Sequence, residues 1–458
     1  MKQLRLFLLL AAGLFLTSCS EPQPEEFPNP DPPPTVGRHA VPIDQALGEL
    51  HDLLGVIDGQ GTRAGGVRTV AQVQTLHAQA LPLTRSAGEP GEQPEELLYV
   101  VNFEDDAGYA VLGADDRLPA VLAVTDEGSL TTEELIRAAN GQTAPEEFTF
   151  PNEMLMNYVS GIGGIGGIGG GGIGGGIGGG GGIPTGPFTD FDTQLGNPPA
   201  GFEGYEWSDW KNLEYVAPMV TTRWHQEDPF NRHCPVIGGE TCVAGCAAIA
   251  MAQIVASNHM HHNVSPGRIG NISLNWMLIR QGIISPRLLI DNPTVANEVA
   301  LLVAALGLKL GMNYGVTQSG ASIDDAEYCF KYIGYKGVNN HTFRPSYVRT
   351  MLWERQRPTY VRAVNAQKEG HAWVADGWLY RRRDQYAVIF GKRSDYSVSN
   401  QTQTLMHCNF GWGGRCDGFY HIGLFNTNEQ AVIPDIDYKP VSDDYNGGKR
   451  MITYTEMY

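Results

Sequence analysis

The chain is short of positive charge and of cysteine. Only 32 Lys and Arg stand against 50 Asp and Glu in 458 residues, a formal net charge of −18. That shortage excludes the clustered basic surface that nucleic-acid binding draws on. Past the N-terminus, no apolar run is long enough to cross a membrane. The seven cysteines include no Cys-x2-Cys pair, the spacing on which structural zinc sites are built, so no metal is expected. No cofactor is implied either. What is present is a 42% hydrophobic content, enough for a packed core, and a length that suits two or three domains.

The N-terminus has the layout of an export signal. Lys2 and Arg5 precede a short apolar stretch, Leu6 to Leu16. The following Leu16-Thr17-Ser18-Cys19 resembles a bacterial lipobox, which implies lipidation of Cys19 and a membrane anchor; the alternative is a plain secretory signal. Residues 20–38, rich in Pro and Glu, read as a disordered tether. Export permits disulfides. Cys234 with Cys242, and Cys408 with Cys416, are spaced for local pairing, which leaves Cys246 free and Cys329 as a buried thiol. Spacing alone does not fix connectivity.

Composition divides the rest. Residues 39–155 read as a small acidic α+β unit, with a helix over Gln45 to Leu54, strands over Leu97 to Phe103 and Tyr109 to Leu112, and a third apolar run from Leu118 to Val124. A linker, residues 156–204, contains Gly161 to Gly182, made only of Gly and Ile. It cannot bury a core and reads as a flexible connector. Residues 205–458 carry the main domain. Helices are expected at Cys246 to Ala256, Thr294 to Leu306 and Ile323 to Ile333, the last with Ser322 as N-cap. Strands are expected at Thr359 to Val364, His371 to Leu379, Tyr386 to Ile389, Met406 to Phe410 and Phe419 to Ile422. Helices first and strands later make an α+β domain.

The chemistry centres on Cys246. Gly245 supplies a tight turn, and an Ala-rich helix begins at the cysteine. A thiol at a helix N-terminus feels the positive end of the macrodipole and gains nucleophilicity. Far downstream, Gly370-His371-Ala372-Trp373-Val374 opens an apolar strand. Cysteine on a helix start, then histidine on a strand start, is the chain order of papain-like thiol hydrolases.

Four motifs occur in order: Thr221-Thr222-Arg223-Trp224-His225-Gln226, Gly245-Cys246, Gly370-His371-Ala372-Trp373-Val374, and Asn409-Phe410-Gly411-Trp412-Gly413-Gly414 with Asp417-Gly418-Phe419. Together they resemble the streptopain family of cysteine peptidases, interpain-like members included. Tyr109 to Ala123, with Ala114-Asp115-Asp116-Arg117-Leu118-Pro119, resembles the inhibitory prodomain of that family. The resemblance implies a two-lobe papain-like catalytic domain, a helical lobe beside an antiparallel sheet lobe, preceded by a small α+β prodomain that acts as an intramolecular inhibitor.

It also implies roles. Cys246 is the nucleophile and His371 the general base and acid. Gln226 donates to the oxyanion, and Asn409 orients the imidazole. The family usually has Trp directly after that Asn; Phe410 stands here, so a phenyl ring would do the shielding. Trp412 is expected to wall the cleft, and Ser319 and Gly320 to line the substrate groove, although a loop capping the preceding helix explains that stretch equally. His259, His261 and His262 read as a solvated loop after the catalytic helix rather than a metal site. Asp376 is either a turn residue or a support behind the site.

The function expected is a secreted, lipid-anchored cysteine endopeptidase made as a zymogen and acting on proteins and peptides. It would sit on the cell envelope or surface, with the mature enzyme released by cleavage between Gly182 and Pro218. Two rivals stand beside it: a cell-wall amidopeptidase, and a catalytically dead surface-binding or inhibitor protein.

Overall fold

The structure, a computed structural model, describes residues 39–59, 67–81, 95–140, 146–159, 201–364, 370–425 and 448–457. Cys19, read as a lipidation site, the stretch read as a tether and the Gly/Ile tract lie outside them. The N-terminal unit opens with α1 (Ile43–Ile57). Its Ala46, Leu50, Leu53, Leu54 and Ile57 form one buried stripe, the spacing of an amphipathic helix on a core. Four strands follow: β1 (Val70–His77), β2 (Glu96–Phe103), β3 (Tyr109–Gly113) and β4 (Val121–Thr125). Helix α2 (Thr132–Ala139) starts on a Thr131/Glu134 capping box. Helix α3 (Glu146–Val159) carries Pro151 inside it. It runs past residue 155, where the sequence placed the end of this unit.

Two strands, β5 (Phe202–Trp207) and β6 (Lys211–Val216), lead into the main domain, and β5 begins inside the stretch read as linker. Helix α4 (Cys246–His262) is buried from Ala247 to Asn258. Helix α5 (Trp276–Ile284), helix α6 (Pro293–Lys309) and helix α7 (Ile323–Tyr332) complete the helical lobe. Asn292 caps α6, and a Ser322/Asp325 capping box starts α7, the cap that the sequence placed there. A helix apolar on every side, as α4 is, belongs at the centre of a lobe.

The sheet lobe comprises β7 (Asn339–Thr342), β8 (Thr359–Val364), β9 (Gly370–Ile389), β10 (Ser399–Asn409), β11 (Gly418–His421) and β12 (Arg450–Thr453). The strands expected at 371–379 and 386–389 are thus one long strand, β9. The sheet order is β1-β2-β3-β4-β11-β10-β9-β8-β12-β7, and β5 and β6 pair with the far half of β9. The N-terminal strands therefore extend the sheet of the main domain. β4 pairs antiparallel with β11 through Thr125 opposite Gly418 and Val124 opposite Phe419. Residue 418 suits glycine, because a Cβ there would lie 2.4 Å from the Val124 carbonyl oxygen. One core runs through both units, from Leu97, Val111 and Leu135 to Trp373, Met406 and Tyr420. The described residues form a single compact unit. The fold is α+β, as expected.

Candidate active site

Gly245 enters α4 with φ 88°, a conformation that costs glycine little and other residues much. A Cβ there would press on Met312 Sδ at 2.8 Å. The turn places Cys246 at the first position of α4. The residue keeps a partly exposed surface, yet its thiol is shut in, and burial pushes its pKa up. The Ala372 amide, the Arg362 charge and the amides of Ala247 and Cys246 pull the other way without prevailing. The helix N-terminus alone led to the opposite expectation; burial outweighs it here.

His371 stands near the start of β9, opposite Ala363 of β8. Its ring is enclosed by Trp412, stacked at 4.4 Å between centroids, and by Phe150 of α3 at 5.8 Å. Burial lowers its pKa to about 4, a shift that its bond to the Phe410 carbonyl partly opposes. No hydrogen bond joins Cys246 to His371 among the described residues. Burial thus disfavours the charged form of both the thiol and the imidazole in this arrangement.

The group that holds the imidazole differs from expectation. His371 Nε2–H donates to the Phe410 backbone carbonyl at 2.9 Å. Asn409 is engaged elsewhere: its Nδ2 donates to the Thr222 carbonyl at 3.0 Å, and its Oδ1 accepts from Gln253 Nε2 at 2.9 Å and from the Gly411 amide at 3.1 Å. The Asn409 side chain ties α4 to the Trp412 loop, and the next residue's backbone orients the histidine. Phe410 is fully buried and stacks on Trp412 with ring centroids 5.2 Å apart, so it does not reach substrate as a groove residue would.

Gln226 is brought beside the turn that leads into Cys246. Its carbonyl accepts from the Ala244 amide at 2.8 Å, two residues before Cys246. Ser319 is committed: its hydroxyl donates to the Val243 carbonyl at 2.7 Å and accepts from the Gly315 amide at 3.0 Å. Gly320 pairs with Asn313 in an isolated bridge. These two residues brace the loop against the nucleophile's turn, and Ser319 has no hydroxyl to spare for a substrate.

Other expectations change too. All six described cysteines are free thiols, so neither local disulfide forms. The three histidines lie in the last turn of α4 and bond separately, His259 to Ser265, His261 to the Met219 carbonyl and His262 to the Gln356 carbonyl. Among the described residues no cluster of His, Cys, Asp or Glu could hold a metal.

Two features escaped the sequence reading. One is Phe150, whose helix contains Pro151, a residue type that usually interrupts helices. The other is a buried ionic cluster. Asp376, fully buried in β9, accepts from His407 Nδ1–H at 2.7 Å and from the Val220 amide at 2.8 Å. His407 Nε2 reaches Asp126 of the N-terminal unit at 3.1 Å. Burial opposes charging His407, but its two carboxylate partners prevail and hold its pKa well above the usual value. A lone aspartate in an apolar strand was the available signal, since a buried charge demands a partner.

Residues 224–420 match the model of the Peptidase C10 family. Streptopain of Streptococcus pyogenes is 24% identical over 244 residues, 45% of this chain and 54% of the relative, so the chain spans about half the length of the curated relatives it matches. Among solved structures, a prointerpain A fragment of Prevotella intermedia covers 84% of this chain and 100% of its own at 19% identity and a TM-score of 0.44. The active wild-type interpain A cysteine protease of the same organism covers 53% of this chain and 95% of its own at 21% identity and a TM-score of 0.37. The chain is thus similar to streptopain-like and interpain-like cysteine peptidases, and the matched segment contains Gln226, Cys246, His371 and Asn409.

Proposed function

We propose that the chain is a cysteine endopeptidase made as a zymogen, with residues 39–159 holding it latent. The observation that carries the reading is Phe150 of α3 lying on the His371 ring while Cys246 has no bond to that ring. When α3 withdraws, the Phe150 ring leaves the imidazole, water reaches it and its pKa rises. The bond from Nε2–H to the Phe410 carbonyl leaves Nδ1 as the nitrogen able to take the thiol proton. The thiolate attacks the peptide carbonyl carbon, and the oxyanion accepts hydrogen bonds from the Cys246 amide and the Gln226 side chain. His371 then gives its proton to the leaving amine. Water, deprotonated by the same imidazole, releases the acyl group.

Substrates are proteins and peptides. Cys19 carries a lipid anchor on the exported chain, and cleavage after the N-terminal unit frees the catalytic unit from the membrane. The pairing of residues 202–216 with β9 favours cleavage in the N-terminal part of the 182–218 window. The test takes the chain from Ser20 onward, as wild type and as Cys246→Ala, under reducing conditions. Wild type is expected to shorten to an N-terminus between residues 182 and 201 and to digest casein, while the variant does neither. A product beginning inside the Cys246 segment, or shortening without casein digestion, contradicts the reading.

A further inference from the structure

The far half of β9 carries an arginine–tryptophan cluster that the proposed chemistry does not use. Leu379, Arg381 and Arg383 share one face of β9, opposite Leu405, Gln403 and Gln401 of β10. Arg381 is 1% exposed, and its Nε donates to Gln403 Oε1 at 2.7 Å. Its guanidinium lies 4.4 Å from the Trp210 ring centroid; that of Arg383 lies 4.8 Å from Trp207 and 4.6 Å from Trp210. Along the strand this cluster is roughly 30 Å from His371.

Carboxylates of α1 face it, Glu49 in contact and Asp52 acting on Arg381 through its charge. Glu49 of α1 pairs through Oε1 with Arg383 Nη1 at 2.9 Å. The fit is incomplete: Glu49 Oε2, Arg381 Nη2 and Trp210 Nε1 are all buried without a partner. Buried donors and acceptors are nearly always paired, so two unused donors around two arginines define a receptor for carboxylate oxygens that α1 only half fills. Beside it, Leu379, Leu405 and Phe419 pack against the apolar stripe of α1.

We infer that departure of the N-terminal unit uncovers, on the far half of β9, a docking site for an acidic amphipathic peptide segment of another protein, with Arg381, Arg383 and Trp210 receiving a carboxylate. The inference rests on the zymogen reading. The occupant's chemistry is that of α1 itself, an apolar stripe with a carboxylate placed as Glu49 is.

The test measures fluorescence anisotropy of a labelled peptide of residues 43–57 added to the processed chain and to the intact Cys246→Ala chain. Binding is expected to the processed chain only, to fall with added salt, and to weaken about tenfold or more with Glu49→Gln in the peptide. Arg383→Gln in the chain is expected to cause a similar loss while hydrolysis of a short peptide substrate continues, which verifies that the variant folds. Equal binding of the wild-type and Glu49→Gln peptides overturns the inference. So does Arg383-dependent binding of a sulfated polysaccharide with none of the peptide, which would assign the site to glycans. Should the N-terminal unit stay bound after cleavage, the zymogen reading falls and this inference with it.

Discussion

The two halves of β9 are covered by the same N-terminal unit, through opposite chemistry. From His371 to Leu379 the strand is buried at every residue, between α4 on one face and the aromatic packing of Phe150, Trp373 and Phe410 on the other. From Tyr380 onward burial is broken and intermediate, and the cover is ionic, Glu49 on Arg383. The near cover buries a histidine against aromatic rings. The far cover is an ion pair. On the zymogen reading, latency rests on the first and the second contributes docking. Between them, Asp126 reaches the His407–Asp376 pair across the β4–β11 seam.

The largest expected effect falls on the proposed nucleophile: Cys246→Ala lowers casein hydrolysis by about 10⁴-fold or more, measured as initial rate under the reducing conditions in which wild type is processed. Phe150→Ala removes the ring over His371 and costs about 3 kcal/mol of docking; mass-spectrometric mapping of alkylated Cys246 should then find faster labelling in the intact chain. If labelling is unchanged, latency does not depend on that ring. Asp126→Asn leaves His407 with Asp376 alone and is expected to cost about 1–2 kcal/mol in denaturant unfolding of the intact chain, with no counterpart in the processed one.

The charge state of His371 sharpens the contrast. Its ring should titrate near pH 4 in the intact chain and at least two units higher, on the order of the unperturbed value, once α3 has gone, as followed by NMR of labelled histidine. The docked state binds fewer protons than the released one between these values, so acidification from pH 6.5 toward 4 weakens docking through this group. Glu153 of α3, its pKa raised to about 7 by burial, works in the opposite sense; Glu153→Gln isolates the histidine contribution. The smallest effect belongs to Arg223→Gln, which breaks an ion pair with Glu127 at the partly exposed rim of the same seam and should change stability by less than about 1 kcal/mol.

Much of this was legible in the sequence because it rests on short-range rules. The Gly245 turn, the helix from Cys246, the cap at Ser322 and the strand over Thr359 to Val364 are all local patterns. Strands β2, β3 and β4 of the N-terminal unit were visible as apolar runs, whereas β1, with its largely exposed residues, was not. What stayed hidden is long-range. Pairing of β4 with β11 joins residues far apart in the chain, and no periodicity announces it. The exchange of roles between Asn409 and the Phe410 carbonyl is hidden for a different reason: a backbone group leaves no residue signature. The low His371 pKa depends on a phenyl ring from another unit, and the pairing proposed for Cys234 with Cys242 was only a spacing.

The most direct test of a latent peptidase follows casein hydrolysis and chain processing in the same wild-type reaction, sampled from the first minute. Hydrolysis is expected to lag and then to rise in step with the processed form. Hydrolysis at full rate while the chain is still intact, or a fully processed chain that leaves casein uncut, contradicts the account.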